Sequence, residues 1–176
     1  MKTRTCGECQ ACCELPMVVP LKKPMFTRCA NQCAEGCAIY AERPEPCRDF
    51  ACSWLRGDAL LGDDDRPDTL GLLVETCVSE QPGGDSIQYV QLWETRAGVL
   101  AESGTPARAL YEGLAMRWPL KVQRYKGPTR YQAPPHLAAV ARELERRAKA
   151  AKITADPSDP CPCGSGALFR DCHARR

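Results

Sequence analysis

Thirteen of the 176 residues are cysteine, and their placement constrains this chain more than any other feature. Cys6, Cys9, Cys12, Cys13, Cys29, Cys33, Cys37, Cys47 and Cys52 crowd the N-terminal region, Cys161, Cys163 and Cys172 sit near the C-terminus, and Cys77 stands alone between. Thiols in such number mark either a disulfide scaffold or metal ligation, and context separates the two. Met1-Lys2-Thr3-Arg4-Thr5-Cys6 is followed by no apolar export segment. No run approaches the roughly 18 apolar residues of a membrane span. An odd count would also leave one thiol unpaired in a disulfide framework. The expectation is a cytoplasmic chain with reduced thiols available as ligands.

Composition adds exclusions. Hydrophobic residues at 44% and charged residues at 26% are ordinary for a globular chain, and a net charge of +2 gives no general attraction to nucleic acid. There is no phosphate loop, no dinucleotide fingerprint and no nucleophile elbow. Only His136 and His173 could serve histidine-based acid–base chemistry. No independent catalytic constellation remains, so a non-catalytic binding role is expected.

The segment between the cysteine-rich ends reads as a small α+β layer in the order strand-strand-helix-strand-helix. Leu70 to Ser79 and Ile87 to Thr95 are strands joined by the turn signal Gln81-Pro82-Gly83-Gly84-Asp85. Thr105 is placed to cap a helix beginning at Pro106, with Ala109, Leu110, Leu114 and Trp118 as its apolar stripe. Leu120 to Tyr125 is a third strand ended by Gly127-Pro128, and a second helix runs from Pro135 to about Lys152. The organisation predicted is a cysteine-cluster region over 1–56, an α+β core over 57–132, a helix and linker over 133–155, and a tail module over 156–176.

In that tail, Cys161-Pro162-Cys163-Gly164-Ser165-Gly166 precedes Cys172-His173 by a short loop. Three thiols and an imidazole form the ligand set of a closed tetrahedral zinc site. The glycines allow a sharp turn whose N–H groups can face a thiolate. Too short to bury a core, the segment would need metal to fold. It resembles the SEC-C motif found at the C-terminus of the SecA translocation ATPase and on many small bacterial proteins. The resemblance implies one zinc held by Cys161, Cys163, Cys172 and His173, and a docking role toward a protein partner or the ribosome.

At the other end, Cys6-Gly7-Glu8-Cys9-Gln10-Ala11-Cys12-Cys13 repeats thiols at two-residue gaps. The spacing serves zinc and iron–sulfur ligation alike. Further on, Gly36-Cys37-Ala38-Ile39-Tyr40 leads through Arg43-Pro44 to Cys47-Arg48-Asp49-Phe50. Residues 6–54 resemble the CxxCxxCC (YkgJ-like) family of zinc- or iron-chelating proteins, whose second half reads GCxIYxxRPxxCRxF. The resemblance implies Cys6, Cys9, Cys12, Cys13, Cys37 and Cys47 as ligands, with Cys29, Cys33 and Cys52 as further candidates. The metal it implies is zinc or iron, including a 4Fe–4S cluster. Arg43 and Arg48 are placed to offset thiolate charge from a second layer. Tyr40, Phe50 and Trp54 are expected to pack around the site, and Cys77 to be a buried apolar thiol.

The leading expectation is a cytoplasmic metal-binding protein acting as a protein- or ribosome-interaction module. Three alternatives stand beside it: an iron–sulfur redox or enzyme-accessory protein, a metal chaperone, and an RNA-binding protein. The last draws on Arg117, Lys121, Arg124, Lys126 and Arg130 interleaved with Tyr125 and Tyr131, and on Arg175-Arg176. No membrane role is expected.

Overall fold

The computed structural model describes residues 4–80, 85–150, 156–161 and 167–172. Two units emerge, Met1–Ala51 together with Ile153–Arg176, and Cys52–Lys152.

Regular structure in the first unit is short, because proline repeatedly removes donors and fixes the backbone. α1 (Ala11–Glu14) is a single turn carrying Cys12 and Cys13. A 3-10 turn over Val19–Leu21 follows, bracketed by a Val18–Lys23 bridge. β1 (Gln32–Cys33) and β2 (Gly36–Cys37) form a minimal antiparallel hairpin that sets Gln32 opposite Cys37. α2 (Glu45–Asp49) starts directly after Pro44. Among the described residues of this unit, the large apolar side chains that are fully buried are Leu15, Val18 and Phe26. At about 1.5–3 kcal/mol each, three such side chains are a thin core for a segment of this length. Something other than apolar burial must complete its stability.

The second unit has a conventional core. α3 (Ser53–Arg56) and α4 (Pro67–Leu70) lead into β3 (Leu72–Ser79) and β4 (Ile87–Glu94), which pair antiparallel with Leu72 opposite Glu94. α5 (Pro106–Ala115) carries the chain across to β5 (Leu120–Gln123), which pairs parallel with β4. A parallel pair requires such a crossover. β6 (Thr129–Gln132) returns antiparallel to β5, giving the strand order β3-β4-β5-β6. A 3-10 turn at Pro135–Leu137 then opens α6 (Ala138–Ala150).

Strand alternation divides the sheet into two faces. One presents Leu72, Val74, Val90, Leu92, Leu120 and Val122, all buried. On that face the Tyr111 hydroxyl of α5 reaches Gln132 Oε1 at 2.9 Å. The same face also buries Glu94. Its Oε1 accepts from the Leu100 N–H at 3.0 Å, its Oε2 accepts from the Tyr125 N–H at 3.0 Å, and Arg124 Nε forms an ion pair with Oε2 at 3.1 Å. One carboxylate thus ties the end of β4 to two loops.

The α+β class and the predicted element order are present, with differences at the edges. Thr105 caps α5, its Oγ1 accepting from the Arg108 N–H at 3.2 Å. Of the expected stripe Leu114 is buried, but Ala109 is exposed and Ala107 takes the buried position. Gly127-Pro128 is a hairpin corner rather than an end, since β6 follows it. The expected turn at 81–84 and the end of the second helix beyond Ala150 lie outside the described residues. Among those described, no helix is long and apolar enough to cross a membrane.

Candidate metal centre

The N-terminal thiols are positioned by a few backbone bonds. Cys9 N–H donates to the Cys6 carbonyl at 2.9 Å and Cys13 N–H to the Gln10 carbonyl at 2.9 Å, so the two-residue gaps fold into tight turns. Cys29 N–H donates to the Cys13 carbonyl at 3.1 Å, which brings a cysteine sixteen positions away alongside α1. Gln10 Nε2 donates to the Cys33 carbonyl at 2.9 Å, and Gln32 Nε2 donates to Gln10 Oε1, fastening the β1–β2 hairpin to the same turn.

The electrostatics identify which thiols sense one another. The Cys12 thiol is pushed up by its hydrogen bond with Cys13, by burial, and by Cys13, Cys6 and Cys9 nearby. Cys13 is lowered to about 6, first by that same hydrogen bond and then, against burial, by Lys23 and Arg43. The shared hydrogen bond thus moves the two thiols in opposite directions. Burial raises Cys47, as do Cys29, Cys13 and Cys37, while Arg43 opposes the rise. Cys6, Cys9, Cys12 and Cys13 form one neighbourhood, and Cys13, Cys29, Cys37 and Cys47 a second, with Cys13 common to both. As placed, no three or more cysteine, histidine or carboxylate side chains among the described residues converge into a coordination shell.

Cys33 lies in β1, where its carbonyl accepts from Gln10 Nε2. Cys52 belongs to the second unit, where it is buried at the start of α3. Cys77 is also in that unit, half-buried opposite Tyr89, with its thiol pushed up by burial and by Glu75. Arg43 Nε donates to the Tyr40 carbonyl at 2.9 Å and its guanidinium stacks 3.7 Å from the Tyr40 ring centroid. Arg48 Nη1 donates to the Arg43 carbonyl at 3.0 Å and so braces that loop. Tyr40 does not pack inward as expected: it is 66% exposed, and its ring covers Arg43 instead. Trp54 lies buried in the second unit, its Nε1 donating to the Asp63 carbonyl at 3.0 Å.

One participant was hidden in the sequence. Lys23 is buried, and its ammonium lies within electrostatic reach of Cys29, Cys13 and Cys47. Leu21-Lys22-Lys23-Pro24 reads as a solvated basic turn, and nothing in the spacing marks one of its lysines as internal.

At the C-terminal end, Asp156 starts a turn by accepting from the Ser158 N–H at 2.8 Å. Pro160 bridges antiparallel to Leu168, and Cys161 N–H donates to the Ala167 carbonyl at 2.8 Å, closing the neck of a loop. Cys161 is completely buried. Phe169 N–H donates to the Asp159 carbonyl at 2.9 Å, seating α7 (Phe169–Cys172) against that neck with Cys172 at its end. Cys163, the Gly164-Ser165-Gly166 stretch and His173 lie outside the described residues. Asp159 is also held by Lys22 Nζ at 3.0 Å, an ion pair inside the same unit.

Comparison with known proteins agrees on this end. Residues 158–175 match the SEC-C motif, a motif of metal-binding type. The chain is also 37% identical over 57 residues to the protein translocase subunit SecA of Phocaeicola vulgatus. That similarity covers 30% of this chain and 5% of the other protein. No solved structure matches.

Proposed function

We propose that this chain is a non-catalytic metal-binding protein with thiolate sites at both ends, used as a docking module. Zinc is assigned to Cys161, Cys163, Cys172 and His173. The observation that carries this is the SEC-C match over 158–175 on a segment whose Cys161 is fully buried in a closed loop neck. A structural zinc there would supply the folding free energy that so few apolar residues cannot. The motif's occurrence at the end of a translocation ATPase supports a protein- or ribosome-facing role.

At the N-terminus the proposed ligands are Cys6, Cys9, Cys12, Cys13, Cys37 and Cys47, with Cys29 added by its contact with Cys13. The donor chemistry suits a thiophilic ion, because soft thiolate sulfurs favour soft cations and give up their protons on binding one. When bound, zinc would brace the loops, and an iron–sulfur cluster would add electron transfer. The GCxIYxxRPxxCRxF resemblance supports metal binding there and keeps zinc and iron as the two readings. RNA binding draws less support. Arg124 pairs with Glu94, and the β5–β6 register puts Lys121 and Arg130 on opposite faces of the sheet, so these cations do not share one surface.

Anaerobic purification with elemental analysis and a visible spectrum tests this reading, on the full chain and on a chain lacking residues 156–176. Truncation is expected to remove about one zinc equivalent and to leave the N-terminal metal in place. Unchanged zinc content after truncation would sink the C-terminal assignment. Metal-free full-length protein would sink both. A brown preparation with labile sulfide would select iron–sulfur at the N-terminus, and rapid exchange with competing chelators would favour a chaperone.

A further inference from the structure

Lys23 stands between Lys22 and Pro24 in a turn, yet it is only 6% exposed. A buried ammonium is costly unless its donors and its charge are both answered. All three donors are used: Nζ reaches the carbonyls of Glu14 at 2.8 Å, Pro16 at 2.6 Å and Pro24 at 3.1 Å. Glu14 ends α1 one residue beyond Cys13, so the cradle sits directly behind the paired thiols. Phe26 N–H to the Leu15 carbonyl at 3.0 Å and Cys29 N–H to the Cys13 carbonyl at 3.1 Å stitch the same loop together.

Carbonyl dipoles satisfy the donors, but none of the three acceptors carries a full negative charge. Burial pulls the Lys23 ammonium below the ordinary lysine value, and the groups that oppose this are Cys29, Cys13, the Glu14 carboxylate and Cys47. Arg43 adds a second cation to the field of Cys13 and Cys47.

We infer that Lys23 is a positioning residue and built-in counter-ion of the N-terminal thiolate centre, fixing the loop from Cys13 to Cys29 and offsetting the charge of the loaded site. This rests on the metal reading of the N-terminal cluster. A centre of several thiolates on one divalent ion is anionic, and a cation locked at its back stabilises the loaded form against release. The tether alone would not do this, which separates the two parts of the role.

The test uses full-length protein loaded with Zn2+ or Co2+, following release to a chelator, with the C-terminal site as internal reference. Lys23→Gln keeps two N–H donors for the three carbonyls and removes the charge. Its N-terminal metal should leave roughly 10–100 times faster, with C-terminal release unchanged. The sulfur-to-cobalt charge-transfer bands should shift in Lys23→Gln and return toward the native position in Lys23→Arg. Native release rate and native bands in Lys23→Gln would overturn the inference while leaving the metal reading intact. Wild-type protein with no N-terminal metal defeats both. Should Lys23→Gln fail to fold, Lys23→Arg decides: near-native release supports the counter-ion, and release more than about tenfold faster overturns it.

Discussion

The burial of Glu94 permits a prediction whose size follows from the geometry. The side chain is 1% exposed and receives two hydrogen bonds, from the backbone N–H groups of Leu100 and Tyr125 at 3.0 Å, beside its ion pair with Arg124. Glu94→Gln keeps the shape but places an amide NH2 where one oxygen was. Whichever way the amide is turned, one backbone N–H then faces a donor. A buried donor left unsatisfied costs about 1–3 kcal/mol, and the surviving bond loses its charge assistance, worth roughly 1 kcal/mol more. The Arg124 contribution is discounted, since that side chain is 31% exposed and water can replace its partner. The sum is a loss of about 3 kcal/mol for Glu94→Gln, against about 1 kcal/mol for Arg124→Gln. Urea unfolding at neutral pH, read by tryptophan fluorescence, measures both, because Trp93 adjoins Glu94 on β4. A Glu94→Gln loss below about 1 kcal/mol, or one smaller than that of Arg124→Gln, would refute the reasoning.

Two further outcomes follow. In the metal-free, reduced protein one thiol should ionise near pH 6, seen as ultraviolet thiolate absorbance and removed by Cys13→Ser. An acid whose folded pKa is depressed stabilises the fold above its unfolded value, and that contribution fades as pH falls through the folded value. Stability should therefore decline between about pH 9 and pH 6, and an unchanged midpoint across that window would count against the Cys12–Cys13 pairing. Gly71 ends α4 at φ +84°, and an added Cβ would stand 3.1 Å from Val99 Cγ1. Gly71→Ala should cost about 1–2 kcal/mol, checked by the thermal midpoint.

What was legible in the sequence had strong local cause. Apolar and β-branched content on either side of a turn signal marks the strands Leu72–Ser79 and Ile87–Glu94, and Thr105-Pro106 marks a helix start by capping chemistry. β6 was not legible: Thr129-Arg130-Tyr131-Gln132 is short and polar, and its strand character comes from pairing with β5. Gly127-Pro128 looks like a terminator, although Lys126 at φ +49° turns the chain back there. Tyr40 was expected inside because aromatic rings tend to pack, but a cation beside it in the loop claimed its face. Thiol spacing pointed to the cluster but not to Lys23, since internal carbonyls that hold an ammonium leave no pattern along the chain. Glu94 escaped for the same reason, as its partners are backbone groups on two distant loops.

The first unit is assembled from both ends of the chain, with Cys52–Lys152 intervening. That order has a consequence for biosynthesis. The early thiols leave the ribosome long before the residues that complete their unit, whereas the sheet unit is finished in between and can fold as it emerges. During that interval the cysteine-rich segment is nascent, reduced and without its C-terminal partner segment, open to oxidation or to a wrong ion. Full assembly of the first unit is thus a late event in synthesis, and thiol-reducing conditions during translation should govern the yield of correctly folded protein.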